Sequence, residues 1–106
     1  MMESGGWPGG KKGATGATLS REILVTNKRG LHARASAKFV QCVELYQAHV
    51  TVMKGGETVG GTSIMGLMML AAGPGSTITV TAKGYEAREC LDALEGLLSD
   101  KFGEGE

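Results

Sequence analysis

Cysteine is scarce in this chain, and the two present, Cys42 and Cys90, form no short-spaced pair. That excludes a C-x-x-C redox motif and the usual zinc-ligand spacings. His32 and His49 add no ligand spacing to the two thiols, so neither a metal nor any other cofactor is expected. Aromatic residues make up 5% of the sequence, too few for a base-stacking platform. No sign of charge dominates: 11 Lys and Arg balance 11 Asp and Glu, for a formal net charge of zero. A neutral chain lacks the bulk basic field of a nucleic-acid binder. Long hydrophobic runs are missing as well. The longest nearly apolar stretch, Ile64 to Ala72, falls short of the ~18 residues of a membrane span, so direct membrane insertion is not expected. No N-terminal apolar h-region is present, so no signal peptide is expected, and cytoplasmic residence with reduced thiols is the simplest reading.

Glycine, by contrast, is abundant, at 18 of the 106 residues, and it is concentrated at the N-terminus. Residues 1–18 carry Gly5, Gly6, Gly9, Gly10, Gly13 and Gly16 with no hydrophobic periodicity, which predicts a flexible leader. Gly5 to Lys11 approximates a phosphate-binding P-loop, but Lys12 stands where Ser or Thr is needed and no strand precedes it, so the motif has no mechanism. One domain is expected over residues 19–102, followed by a disordered tail at 103–106.

Within that domain the hydrophobic period alternates between two and 3.6 residues. Strands are predicted at Glu22–Thr26, Ala48–Lys54, Glu57–Val59 and Ser76–Thr81, with Gly55-Gly56 as a hairpin turn. Helices are predicted at Ala33–Tyr46, Ile64–Leu70 and Tyr85–Leu98. The order β-α-β-β-α-β-α and the half-wet strands give an α+β fold: an open-faced β-sandwich, a four-stranded antiparallel sheet with three helices on one face. Cys42 and Cys90 fall on or beside apolar helix faces and read as small buried hydrophobes.

The chemistry concentrates in Asn27-Lys28-Arg29-Gly30-Leu31-His32-Ala33-Arg34. His32 sits where a helix begins, with Arg34 in the first turn. Neutral imidazole is a nucleophile near pH 7. A helix N-terminus offers free N–H groups and a positive dipole, both suited to a phosphoryl group. Lys28, Arg29, Arg34 and Lys38 surround the histidine, and no acidic residue lies between Ile23 and Val43. Such a cluster would hold phosphate and steer acidic partners. A nucleic-acid-binding domain built on the same cluster is the alternative, opposed by the neutral charge and the missing aromatics. A hydrolase or transferase using His32 as general base lacks a Ser or Asp partner motif and a pocket-forming insertion. His49, inside a strand, has no assigned role.

These residues resemble the family of HPr, the histidine-containing phosphocarrier protein of the phosphoenolpyruvate-dependent phosphotransferase system. Gly30-Leu31-His32-Ala33-Arg34 and Ser63-Ile64-Met65-Gly66-Leu67-Met68 carry the resemblance, with the spacing between them and the order of elements, over about three quarters of the chain. The resemblance implies a phosphoryl carrier rather than a stand-alone catalyst. His32 would take phosphate on Nδ1 from Enzyme I and pass it to a IIA domain, with Ala33, Arg34 and Asn27 as phosphate-binding positions. It further implies Ser63 as a regulatory site for an HPr kinase/phosphorylase, and Ile64, Met65 and Met68 as docking residues on a monomer. The nitrogen-related branch is similar in the same places. Ala35 departs from the family, which commonly has Pro there. Ser63 has a structural role available to it as well, as N-cap of the short helix.

Overall fold

The computed structural model describes residues 18–104. The expected leader, including Trp7 and the P-loop-like segment, lies outside the described residues apart from Thr18, as do the last two tail residues. Four strands and three helices follow in the order β1 (Thr18–Leu24), α1 (Ala33–Glu44), β2 (His49–Lys54), β3 (Glu57–Gly60), α2 (Ile64–Met69), β4 (Thr77–Lys83) and α3 (Ala87–Ser99). A tight turn at Lys101–Gly103 ends the described chain.

The strands form one sheet ordered β1-β4-β2-β3, and every neighbouring pair is antiparallel. The fold is therefore the open-faced sandwich that the alternation predicts. β1 and β2 run in the same direction with β4 between them, and β3 and β4 do so around β2. The right-handed rule for such crossovers puts α1 and α2 on the same face, where they touch each other while α3 covers β1 and β4. Ile23, Val50, Val52, Ile78, Val80 and Ala82 point from the sheet into a core closed by Phe39, Val43, Leu67, Leu91, Leu94 and Leu98 from the helices. The opposite sheet face carries Thr51, Thr77, Thr79 and Thr81, in keeping with a wet surface.

Element ends differ from the sequence expectation for local reasons. β1 starts at Thr18, the first described residue, not Glu22. Its polar residues pair across the sheet: Ser20 shares a 2.8 Å hydrogen bond with Thr81, and Arg21 Nη1 reaches Asp92 and Glu95 on α3, each at 2.8 Å. An edge strand with one wet face shows only half an apolar signal. β4 runs on to Lys83 because Lys83 pairs with both Thr18 and His49. α3 begins at Ala87, since Glu86 is spent in the preceding loop, its carboxylate accepting from Gln47 N–H at 2.8 Å.

The expectation of a disordered tail from residue 103 is corrected at Gly103 and Glu104. Phe102 is buried at 1% exposure, and Lys38 Nζ donates to its carbonyl oxygen at 2.5 Å. An apolar anchor and a cation thus hold the turn against α1.

Candidate functional site

The loop before α1 is locked from three sides. Gly30 has φ +65, and a Cβ there would lie 2.2 Å from the Ala72 carbonyl oxygen, so only glycine fits. Leu31 N–H donates to that oxygen at 3.0 Å, and the Leu31 side chain is buried. Asn27, fully buried, donates its side-chain amide to the Gly30 carbonyl at 2.8 Å. Ser36, also buried, donates its hydroxyl to the Leu31 carbonyl at 3.2 Å. Because Ala72 lies just past α2, the C-terminal end of α2 abuts the loop that carries His32.

His32 is the N-cap of α1, with extended backbone (φ −77, ψ −178) and no side-chain cap. The first helical bond is Ser36 N–H to the His32 carbonyl at 2.8 Å. The N–H groups of Ala33, Arg34 and Ala35 therefore have no partner within the helix, and no acidic residue occupies the first turn. Ala35 is buried in the core, and the helix starts at Ala33 without the proline common in the family. Arg29, His32, Arg34, Gly103 and Glu104 line a cavity of about 300 Å³. Two guanidinium groups and a helix start make it a place for an anion.

One side chain in the cavity has no counterpart in the sequence reading. Glu104 Oε2 lies 2.5 Å from His32 Nε2, and Asn27 Nδ2 donates to Glu104 Oε1 at 3.1 Å. Side-chain exposure is 16% for His32 and 12% for Glu104. Burial pulls the Glu104 carboxyl upward, but hydrogen bonds from Asn27 and His32 and the charges of His32 and Arg29 bring it below its ordinary value. Among the described residues His32 Nδ1 takes no hydrogen bond.

His32 and Arg34 both line the cavity, and Ala33, the first residue of α1, stands between them. Asn27 stands elsewhere than expected. It lies beneath the loop with its amide hydrogens directed at Gly30 and Glu104, so it reaches the cavity through Glu104. Its Oδ1 is buried without a partner, a consequence of pointing Nδ2 at two oxygens. Lys38 does not line the cavity itself; its ammonium is bound to the Phe102 carbonyl, beside the cavity-lining Gly103. On α2, Ser63 Oγ accepts from Gly66 N–H at 2.9 Å, a true N-cap. Ile64, Met65 and Met68 are exposed as expected, and Met69 joins them. These α2 residues lie outside the cavity.

A family model described as "PTS HPr component phosphorylation site" matches residues 19–100. The chain belongs to the HPr family. It is 48% identical over 88 residues to the phosphocarrier protein HPr of Cupriavidus necator, covering 83% of this chain and 99% of that one. It is also 40% identical over 86 residues to the phosphocarrier protein NPr of Shewanella violacea, covering 81% and 94%. A crystal structure of an HPr from Thermoanaerobacter tengcongensis matches with a TM-score of 0.77 at 37% identity, over 81% of this chain and 97% of that one. Membership in the HPr family gives the phosphocarrier role in the phosphotransferase system. The family model's match stops at residue 100, before Phe102 and Glu104.

Proposed function

We propose that His32 is the phosphoryl-accepting residue, taking phosphate on Nδ1 from phospho-Enzyme I and passing it to a IIA domain. The observation that carries this reading is the position of His32: at an uncapped helix start, inside a cavity shared with Arg29 and Arg34. The N–H groups of Ala33 and Arg34 and the two guanidinium groups bind the phosphoryl oxygens. Arg29 is added here to the residues the sequence pointed to. Ile64, Met65 and Met68 form an apolar docking surface for both partners, next to the histidine loop. Phosphorylation of Ser63 by an HPr kinase/phosphorylase places negative charge at the edge of that surface and weakens docking. The carrier works in the cytoplasm as a monomer and needs no cofactor.

The test is incubation with phosphoenolpyruvate and a catalytic amount of Enzyme I. One acid-labile phosphate per chain is expected, and none on His32→Ala, whose circular dichroism stays native because His32 lies outside the core. Phosphate on the His32→Ala protein would overturn the assignment. Running the reaction with sugar-type and nitrogen-type Enzyme I in parallel decides which branch the carrier serves.

A further inference from the structure

We infer that Glu104 is the positioning residue of the phosphate acceptor: its carboxylate holds the hydrogen on His32 Nε2 and so leaves the lone pair on Nδ1. The inference rests on the reading of His32 as that acceptor. It begins with a donor and acceptor count. An ionised carboxylate only accepts, so a 2.5 Å contact between Glu104 Oε2 and His32 Nε2 requires the hydrogen to be on Nε2. A neutral imidazole carries one ring hydrogen. With that hydrogen on Nε2, Nδ1 is the basic, nucleophilic nitrogen.

The carboxylate is itself held. Asn27 Nδ2 donates to Oε1 at 3.1 Å and also to the Gly30 carbonyl at 2.8 Å, so the amide cannot turn over without setting its oxygen against two others. Asn27 is fully buried. The backbone that delivers Glu104 is strained: Lys101 and Phe102 have φ of 54 and 55, a region costly for residues with a Cβ, and Gly103 follows at 75. Strain of this kind persists only where the surroundings enforce it. Here the enforcing contacts are the buried Phe102 ring and the Lys38 bond to the Phe102 carbonyl. Asn27, Glu104 and His32 thus form a chain in which each member orients the next, the arrangement by which a carboxylate fixes a histidine tautomer in hydrolase triads.

The arrangement serves the transfer in both directions. The Nδ1 lone pair forms the new N–P bond to the phosphoryl group of a phosphohistidine donor. The donor's own N–P bond breaks, and its electron pair returns to the donor ring. The hydrogen stays on Nε2, the phosphorylated ring becomes cationic, and the Glu104 carboxylate lies against that charge. Onward transfer returns the pair to Nδ1, and no proton moves at either step.

The experiment uses the full chain and its Glu104→Ala variant, with ring nitrogens of His32 followed by ¹⁵N nuclear magnetic resonance at alkaline pH, where the ring is neutral. The wild type is expected to show one protonated nitrogen, Nε2, and one bare nitrogen, Nδ1. Glu104→Ala is expected to show averaged tautomers and a phosphoryl-transfer rate from phospho-Enzyme I lower by about tenfold or more, as for other groups that orient a reacting ligand, with half-saturation unchanged because the α2 surface is intact. Glu104→Asp is expected to recover part of the tautomer preference and part of the rate. An unaltered ring spectrum in Glu104→Ala overturns the inference, as does a rate within twofold of wild type. Faster transfer by Glu104→Ala also overturns it, since the carboxylate would then be competing with phosphate. A wild type that takes no phosphate sinks the carrier reading alone, and the ring spectrum still tests the tautomer.

Discussion

Gly30 holds a left-handed backbone beneath the Ala72 carbonyl, and an added methyl group meets that oxygen at 2.2 Å. Gly30→Ala must therefore move the backbone as well as bear the left-handed penalty. A stability loss of about 3 kcal/mol is expected, the sum of roughly 1–2 for the conformation and a similar amount for the clash. Denaturant midpoints measure it, and an unchanged midpoint would show that the loop yields freely. The same residue shows what could be read from the sequence. Gly30, His32 and Arg34 lie within five consecutive positions, so the site's near half is visible as a local motif. Glu104 was invisible because it arrives from the far end of the chain on a strained turn, and nothing in Asp100-Lys101-Phe102-Gly103 encodes left-handed geometry except Gly103. The one usable signal is Phe102, an aromatic residue just past the last helical stripe at the end of the expected domain, which needs an apolar site and so carries the chain that follows it back onto the core. Asn27 is expected at the phosphate only through the resemblance; its buried place under the loop, donating to Gly30 and Glu104, follows from contacts that the local sequence does not show.

Helix α2 shows how a short element can serve two ends. Ser63 caps it by accepting from Gly66 N–H, and a Cβ on Gly66 would come 2.9 Å from the Ser63 hydroxyl and 3.0 Å from Val59 Cβ, so the cap and the close approach to β3 depend on the same glycine. Leu67 and Leu70 are buried, while Met65 and Met69 are 68% and 73% exposed, a large apolar surface for so short a helix. This much was legible, because six apolar residues in seven positions cannot all face one core. Which ones stay outside depends on how α2 lies against α1 and β3, and Met69 was missed for that reason. Aspartate is as good an N-cap as serine and suits the helix dipole, so Ser63→Asp is expected to change stability by less than about 0.5 kcal/mol. It also sets a negative charge beside the proposed docking surface, where Arg29 and Arg34 favour an acidic partner. Affinity for Enzyme I is expected to fall about fivefold, near 1 kcal/mol, with most of the loss recovered at high salt. Met65→Ala is expected to weaken the same complex with little salt dependence. Titration calorimetry at two salt concentrations separates the two, and unaltered affinity in Ser63→Asp would remove α2 from the docking surface.

At the scale of the molecule, the strand alternation decided that one sheet face is packed and the other wet, and the helix stripes decided what covers the packed face. Exact strand pairing was not legible, since register depends on partners distant in the chain, such as Lys83 against both Thr18 and His49. The single core that results has a consequence for pH through Cys90. This thiol lies on the inner face of α3 at 0% exposure. Burial, with smaller contributions from Cys42 and Glu86, pushes it up from its ordinary 9.0 to about 11. The folded state therefore disfavours the thiolate, while the unfolded chain ionises freely above pH 9. Stability is full below pH 9 and is lost as pH rises toward 11, by about 2 kcal/mol at the upper end if Cys90 alone is counted. Other groups of the chain also respond to alkaline pH, so the wild type must be set against Cys90→Ala, which keeps those groups and removes the thiol. The variant starts less stable at pH 7 because a small void replaces the sulfur. Between pH 8.5 and 11 its urea midpoint should fall less steeply than that of the wild type. Parallel curves over that interval would mean that α1 and α3 part easily enough for Cys90 to ionise without unfolding, and the core would then be looser at this point than its burial implies.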